Sequence, residues 1–150
     1  MKNPEYKVLI VDDTPENIEI LAETLTDYKR LIANSGERAL SIVNSANKPD
    51  IILLDIMMPE MDGFEVCRRI KENPQTADIP VIFITAKNSI EDEILGLELG
   101  AVDFISKPIS PPSVKARVRN HLEIKKMRQE LLDQNKELIE ASKLRDDVDG

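Results

Sequence analysis

Cysteine, histidine and long apolar runs are scarce in this sequence, and each scarcity excludes a class of protein. The single cysteine, Cys67, excludes an internal disulfide framework. With only one histidine, His121, a zinc site built from several Cys and His ligands is also excluded. No apolar run approaches the roughly 18 residues of a membrane span, and the start of the chain lacks the apolar segment of a secretory signal. We therefore expect a cytoplasmic protein with no membrane segment.

Basic residues are fewer than acidic ones: the chain has 20 Lys and Arg against 28 Asp and Glu, which gives a net charge of −8. Such a balance argues against the basic surface that nucleic-acid binding requires, and we expect none by this chain. The length of 150 residues, 41% of them hydrophobic, fits one globular domain with a modest extension. Residues 113–136, with seven basic and three acidic side chains, begin where the globular pattern stops.

Short apolar runs predict a parallel sheet. The runs 8–11, 51–54 and 81–84 are too unbroken for strands with one wet face, so they indicate strands covered on both faces. A run over 101–105, interrupted at Asp103, predicts a further strand, and a short run over 30–33 completes five.

Helices are predicted between these strands, because apolar residues there recur three and four positions apart. Thr14 places a capping hydroxyl before Pro15 at a helix start, Ser35 and Ser89 are further candidate N-caps, and Gly100 suits a helix end. Strands and helices that alternate over such short connections predict a doubly wound (βα)5 fold. In such folds, ligands bind beyond the C-terminal ends of the strands.

Polar side chains follow the predicted strands at that edge, namely Asp12, Asp13, Asp55, Thr85 and Lys107. Three carboxylates in one crevice repel each other, and a divalent ion would relieve the repulsion. Oxygen ligands without His or Cys suit Mg²⁺, or Mn²⁺ as an alternative, and Mg²⁺ commonly binds phosphate oxygens. A carboxylate can attack phosphorus while a metal, a lysine and a hydroxyl stabilise the equatorial oxygens.

Four segments together resemble the receiver domain of two-component response regulators: 11–13, 54–63, 84–86 and 100–108. The resemblance covers about residues 5–122. It implies a flavodoxin-like sheet with strand order 2-1-3-4-5, and we take residues 1–122 as the receiver domain.

The resemblance also implies a role for each carboxylate. Asp55 would accept a phosphoryl group from a histidine kinase or a phosphotransfer protein. Asp13, Asp55 and the backbone carbonyl of Met57 would bind Mg²⁺ directly, and Asp12 would contribute mainly through water.

Further roles follow from the same resemblance. Thr85 and Lys107 would contact the phosphoryl oxygens, and the peptide bond before Pro108 would be cis. Phe104 would swing inward as Thr85 moves, which would reshape the face made by the fourth helix, fifth strand and fifth helix. Met57 and Lys87 flank the path of attacking water, and neither is an acid or amide, so we expect a long-lived phosphoryl group.

A long helix is predicted from Ser113 towards Gly150, with apolar residues at seven-residue spacing. Its seam has Ile124, Leu131 and Leu138 at one position and Met127, Gln134 and Ala141 at the other, with Leu132 and Ile139 broadening the stripe. We interpret residues 123–150 as a helical or coiled-coil linker. We expect two copies of the chain to form a homodimer through parallel linker helices, through the face made by the fourth helix, fifth strand and fifth helix, or through both. Alternatively, this segment is a single amphipathic helix whose apolar stripe packs against a surface other than a second copy of itself. Such tails resemble linkers to an output domain, here a diguanylate cyclase, a cyclic-di-GMP phosphodiesterase or a histidine kinase.

Three functions fit these residues. The first is a regulatory phosphoacceptor switch that is not itself an enzyme. The second is a haloacid-dehalogenase-like phosphohydrolase, which uses similar groups but places its nucleophile first along the chain and its acidic pair last. The third is a pseudo-receiver that acts only as an interaction or dimerisation module.

Overall fold

The computed structural model describes residues 5–86 and 89–149, with side chains as far as Leu144. Its centre is a five-stranded parallel sheet in the order β2-β1-β3-β4-β5. The strands are β1 (Lys7–Val11), β2 (Lys29–Ala33), β3 (Ile51–Asp55), β4 (Val81–Thr85) and β5 (Asp103–Ser106). The predicted fold class and strand order are confirmed.

Five helices cover both faces of this sheet: α1 (Pro15–Thr24), α2 (Gly36–Val43), α3 (Gly63–Glu72), α4 (Ile90–Glu98) and α5 (Pro111–Asp149). Successive strand residues point to opposite faces. Leu9 therefore lies in the core under α2 and α3, whereas Ile10 lies in the core under α1 and α5. Each apolar side chain buried this way contributes about 1.5–3 kcal/mol to folding.

The position of β2 at one edge of the sheet explains why its sequence signal is weak. All residues of β3 and β4 are buried, which matches their unbroken apolar sequences. Strand β2 lies at the edge, and Lys29, Arg30 and Ile32 are exposed there, so a long apolar run is not needed.

Two predicted boundaries shift in the structure. Strand β5 begins at Asp103, after the start of the apolar run, because the amide of Ala101 still closes α4 by donating to the Gly96 carbonyl at 3.0 Å. Between them Gly100 has a φ of +104°, a conformation that glycine adopts readily at a helix end. Helix α5 begins at Pro111 and not at Ser113, because the first helical turn tolerates residues without an amide hydrogen.

The candidate N-caps behave differently from one another. Ser35 Oγ accepts from the Arg38 amide at 3.2 Å, as a cap does. Thr14 makes no side-chain cap, and its own amide donates to Asp12 Oδ1 at 2.9 Å. Ser89 makes no backbone cap either, and its hydroxyl donates to the Asp92 carboxylate.

Helix α5 divides into a docked part, residues 111–125, and a projecting part, residues 126–149. Val114, Val118 and Leu122 are buried against the sheet. Lys125 Nζ then donates to the Asp50 carbonyl at 3.1 Å and lies 3.3 Å from Asp50 Oδ1. Every side chain over residues 126–144 is exposed. Among the described residues, no helix has the length and apolar content needed to cross a membrane.

Candidate functional site

The predicted carboxylates come together at the C-terminal edge of the sheet. Asp12 and Asp13 follow β1, and Asp55 is the last residue of the neighbouring β3. One carboxylate oxygen of each lies within 4.8 Å of the others. Asp12 and Asp55 are buried and Asp13 is exposed, so the group opens to solvent on one side. These three side chains could hold a metal ion.

Two of the carboxylate oxygens in this group lack a partner. Within residues 5–86 and 89–144, Asp12 Oδ2 and Asp55 Oδ2 are buried without a hydrogen bond. The other oxygen of each of these two carboxylates is bonded, since Asp55 Oδ1 accepts from Lys107 Nζ at 3.1 Å and Asp12 Oδ1 accepts from the Thr14 amide. Unpartnered buried oxygens cost free energy, and a bound cation would satisfy them. The site therefore fits a hard divalent ion that prefers oxygen ligands.

The environment of Asp55 also raises its pKa. Burial is the largest cause, and the charge of Asp12 adds to it, which brings the pKa from 3.8 to about 6. The hydrogen bond and charge of Lys107 act in the opposite direction, as does the nearby backbone of Met57. A second cation beside Asp55 would favour its charged form further.

Helix α3 begins directly behind Asp55, and this close approach depends on Gly63. A Cβ added to Gly63 would lie 2.3 Å from the Asp55 carbonyl oxygen and 2.9 Å from Ile56 Cα. Asp62 caps the helix, because its Oδ1 accepts from the Glu65 amide at 2.9 Å. The composition of the 54–63 segment does not reveal this contact, which becomes visible only once the helix is placed against the strand.

Thr85 ends β4, the strand beside that of Asp55, and Lys107 directly follows β5, the next strand outward. Thr85 is buried at the end of β4, and its hydroxyl donates to the Ala86 carbonyl at 3.0 Å. The Lys107 amide donates to the Thr85 carbonyl at 2.8 Å, and the Lys107–Pro108 peptide bond is cis. The Met57 side chain is 73% exposed, and Lys87 lies outside the described residues.

Phe104 lies half-buried beneath α4. Its ring stacks on Phe83 with centroids 6.0 Å apart and an interplanar angle of 26°. A Cβ on Gly96 would lie 2.8 Å from the Phe83 ring and 2.9 Å from the Phe104 ring. Gly96 therefore allows both rings to lie against the backbone of α4, a contact that the sequence pattern did not reveal.

A hydrogen-bond network between β5 and α5 was not among the features predicted from the sequence. Asp103 Oδ1 accepts from Arg117 Nη1 at 2.6 Å, and Asp103 Oδ2 lies 3.0 Å from Nε2 of His121. Burial raises the pKa of Asp103, but hydrogen bonds from the Phe104 amide, Arg117 and His121 outweigh it and lower the pKa overall. The four-residue spacing of Arg117 and His121, which puts them on one helix face, was the available signal.

A family model described as the response regulator receiver domain matches residues 8–119. This chain belongs to the response regulator receiver family. The membership decides against the haloacid-dehalogenase alternative. Receiver domains are regulatory phosphoacceptor modules of two-component signalling, and the sheet order and carboxylate group described above fit this family.

Individual relatives of the receiver domain point the same way. The chain is 51% identical over 140 residues to a Vibrio cholerae protein named "Probable cyclic di-GMP phosphodiesterase", covering 92% of this chain and 31% of that protein. It is 47% identical over 116 residues to the response regulator PleD of Caulobacter vibrioides, covering 76% and 25%. The chain thus spans about a third or less of these relatives.

A solved receiver domain, from a signal transduction histidine kinase of Syntrophus aciditrophicus, superimposes with a TM-score of 0.72. The two share 37% identity, and the match covers 79% of this chain and 90% of that one.

Proposed function

We propose that Asp55 is the phosphoacceptor of a two-component switch, carried by a receiver domain over residues 1–122 with a helical linker over 123–150. One observation carries the proposal. The buried carboxylate of Asp55 has one oxygen held by Lys107 at 3.1 Å and the other unpartnered beside Asp12 and Asp13. A carboxylate held in this way is oriented for attack and lacks only a neutralising cation.

The chemistry is a phosphoryl transfer. An Asp55 oxygen forms a bond to phosphorus, and the bond from phosphorus to the donor, a phosphohistidine nitrogen in a kinase, breaks. Lys107 and Thr85 contact the transferred oxygens, which requires the Thr85 hydroxyl to leave the Ala86 carbonyl. Phe104 then follows Thr85 inward.

Mg²⁺, or Mn²⁺ in its place, would be held by Asp13, Asp55 and the Met57 carbonyl, with Asp12 acting through water. When bound, the ion neutralises charge on the carboxylates and on the phosphoryl oxygens. The two unpartnered oxygens of Asp12 and Asp55 support this assignment.

The partners are a histidine kinase or phosphotransfer protein as donor and a second copy of this chain. We propose that the copies meet through the α4-β5-α5 face, the projecting part of α5, or both. An output domain beyond the linker would carry any enzymatic activity, and the name of the Vibrio relative makes a cyclic di-GMP phosphodiesterase the first to test. The net charge of −8 supports a chain that does not itself bind nucleic acid.

Intact mass after incubation with acetyl phosphate and Mg²⁺ tests the proposal. We expect a gain of one phosphoryl group that Asp55→Asn and a chelator each abolish. Asp50→Asn is the matched control, because Asp50 lies at the opposite edge of the sheet and should leave the gain unchanged. No gain from either a small donor or a histidine kinase would favour the pseudo-receiver.

The lifetime of the phosphoryl group is a separate measurement. We expect slow decay, because Met57 presents no acid or amide and Lys87 supplies none. Loss of the added mass within seconds after donor removal would contradict this part of the proposal.

A further inference from the structure

The projecting part of α5 carries an apolar stripe that the domain leaves uncovered. All side chains over residues 126–144 are exposed. The stripe begins at Ile124, in the last docked turn, and continues through Met127, Leu131 and Leu138; these four side chains are 48–68% exposed. A solvated helix of this length gains little stability by itself, because helical stability in proteins comes mostly from packing of the apolar face. We therefore expect another protein surface to cover the stripe.

Charged residues flank the stripe asymmetrically. With Ile124, Leu131 and Leu138 at the first seam position, the residue just before each is a glutamate: Glu123, Glu130 and Glu137. The residues on the other side of the seam, next after Met127, Gln134 and Ala141, are not acidic: Arg128, Asn135 and Ser142. One flank of the seam is thus negative and the other is positive or neutral.

We propose that a second copy of this chain covers the stripe as a parallel, in-register two-stranded coiled coil over residues 123–144. In a parallel pair, each flanking glutamate faces the opposite flank of the partner five residues further on. Glu123 then meets Arg128, while Glu130 and Glu137 meet Asn135 and Ser142. In an antiparallel pair, like flanks meet and glutamates face glutamates, which is unfavourable.

The attachment of α5 is compatible with this pairing. The last side chain buried in the domain is Leu122, and Lys125 contacts Asp50. Pairing along residues 123–144 can therefore begin where docking ends, without loss of the core contacts of Val114 and Val118. This inference specifies the geometry of the dimer proposed above and does not depend on phosphorylation of Asp55.

Two adjacent residues provide a matched test of the seam. Leu138 lies in the seam, whereas Ile139 lies outside it, and their exposures are 68% and 56%. In sedimentation velocity over a concentration series, Leu138→Lys should raise the dimer dissociation constant at least tenfold. Ile139→Lys should leave it within about twofold. Equal effects of the two changes, or a wild-type chain that stays monomeric at 200 µM, would overturn the proposal.

Disulfide trapping tests the orientation. Cys67 is buried, so the wild-type chain gives the background for oxidation. Ile124→Cys and Leu138→Cys should each form a covalent homodimer faster than the outward-facing control Lys136→Cys. A mixture of the two variants should form few 124-to-138 dimers, because an antiparallel pair is needed to bring those positions together.

Preferential trapping of the mixed 124-to-138 dimer would overturn the parallel orientation, and trapping no faster than the Lys136→Cys control would overturn the pairing. Repeating both measurements in Asp55→Asn separates this proposal from the phosphoacceptor proposal. Trapping should persist there even though acetyl phosphate no longer adds mass.

Discussion

The two edges of the sheet differ in how they satisfy their carboxylates. At the N-terminal edge, Asp50 Oδ2 accepts from the Lys7 amide at 2.8 Å and Asp50 Oδ1 lies 3.3 Å from Lys125 Nζ, so both oxygens have partners. At the C-terminal edge, Asp12 and Asp55 each keep one buried oxygen without a partner. An aspartate therefore stabilises the fold at the N-terminal edge, whereas the aspartates at the C-terminal edge cost stability and remain available to a ligand.

The largest effect is expected where the C-terminal edge meets α3. Gly63→Ala places a Cβ within 3 Å of two backbone atoms that cannot move aside. We expect a loss of about 3 kcal/mol or more in the free energy of unfolding, measured by urea denaturation. Gly100→Ala is the control, because its new Cβ meets only the flexible Lys71 side chain at 3.2 Å. Its positive φ costs about 1 kcal/mol. A Gly63→Ala loss no larger than that of Gly100→Ala would contradict the close-contact argument.

Removing one carboxylate charge at each edge should change stability in opposite directions. Asp55→Asn should raise the free energy of unfolding at pH 7 by roughly 1–3 kcal/mol, because the pKa of Asp55 is raised to about 6 and its ionised form is disfavoured in the fold. Asp50→Asn should lower it by about 1 kcal/mol, because Lys125 loses its charged partner.

The pH dependence sharpens this contrast. As the pH falls from 7 through 6 towards 3.8, Asp55 takes up its proton in the folded state before the unfolded state does, and the wild type gains stability. The advantage of Asp55→Asn should therefore shrink over that range and vanish below it. An advantage that stays constant from pH 7 to pH 4 would show that the charge of Asp55 is not its cause.

Bound Mg²⁺ should stabilise the fold, because it would give the unpartnered carboxylate oxygens at the C-terminal edge a partner. At ten times its dissociation constant, Mg²⁺ should raise the free energy of unfolding by about 1.4 kcal/mol, because it binds the folded chain alone. Asp13→Ala should remove most of this gain while changing stability little without metal, since Asp13 is exposed. Asp50→Asn should keep the full gain. A thermal shift with Mg²⁺ that is equal in all three proteins would exclude the carboxylate group as the site.

The smallest effect concerns Asp103, whose two carboxylate oxygens have partners, as do those of Asp50. Asp103→Asn should cost about 1 kcal/mol or less at pH 7, because Arg117 is partly exposed and its ion pair is screened by solvent. The pKa of Asp103 is lowered in the fold, so its contribution is present above pH 3.8 and is lost as the pH falls through the folded value. Urea denaturation of both proteins at pH 7 and pH 3 measures this, and an unchanged difference would contradict it.

The strands and the site carboxylates were predictable because their signals are local. A strand buried on both faces, such as β3 or β4, must be apolar throughout, and parallel strands bring their C-terminal ends to one edge. Asp12, Asp13 and Asp55 were therefore expected at one edge of the sheet, and the strand order implied by the receiver resemblance placed β1 beside β3. The edge strand β2 gave a weaker signal because its exposed residues are not constrained by packing.

Other features depend on how elements approach one another, and the sequence pattern holds no local signal for them. The contacts of Gly63 with Asp55 and of Gly96 with Phe104 exist only after a helix is placed on the sheet. Residue type alone also failed at Thr14, whose hydroxyl precedes Pro15 at the start of α1 but makes no cap. A hydroxyl at a helix start is a cap only when the preceding backbone permits it.

Helix α5 is also a lever. Its docked part, residues 111–125, spans about 22 Å beside the sheet, and its projecting part, residues 126–149, extends about 36 Å beyond it. If the docked part tilts as a rigid rod about Lys125 and Asp50, a displacement at Pro111 is enlarged about 1.6-fold at Asp149. A shift of about 1 Å at the C-terminal edge of the sheet then becomes a larger swing in the opposite direction, tens of ångströms away.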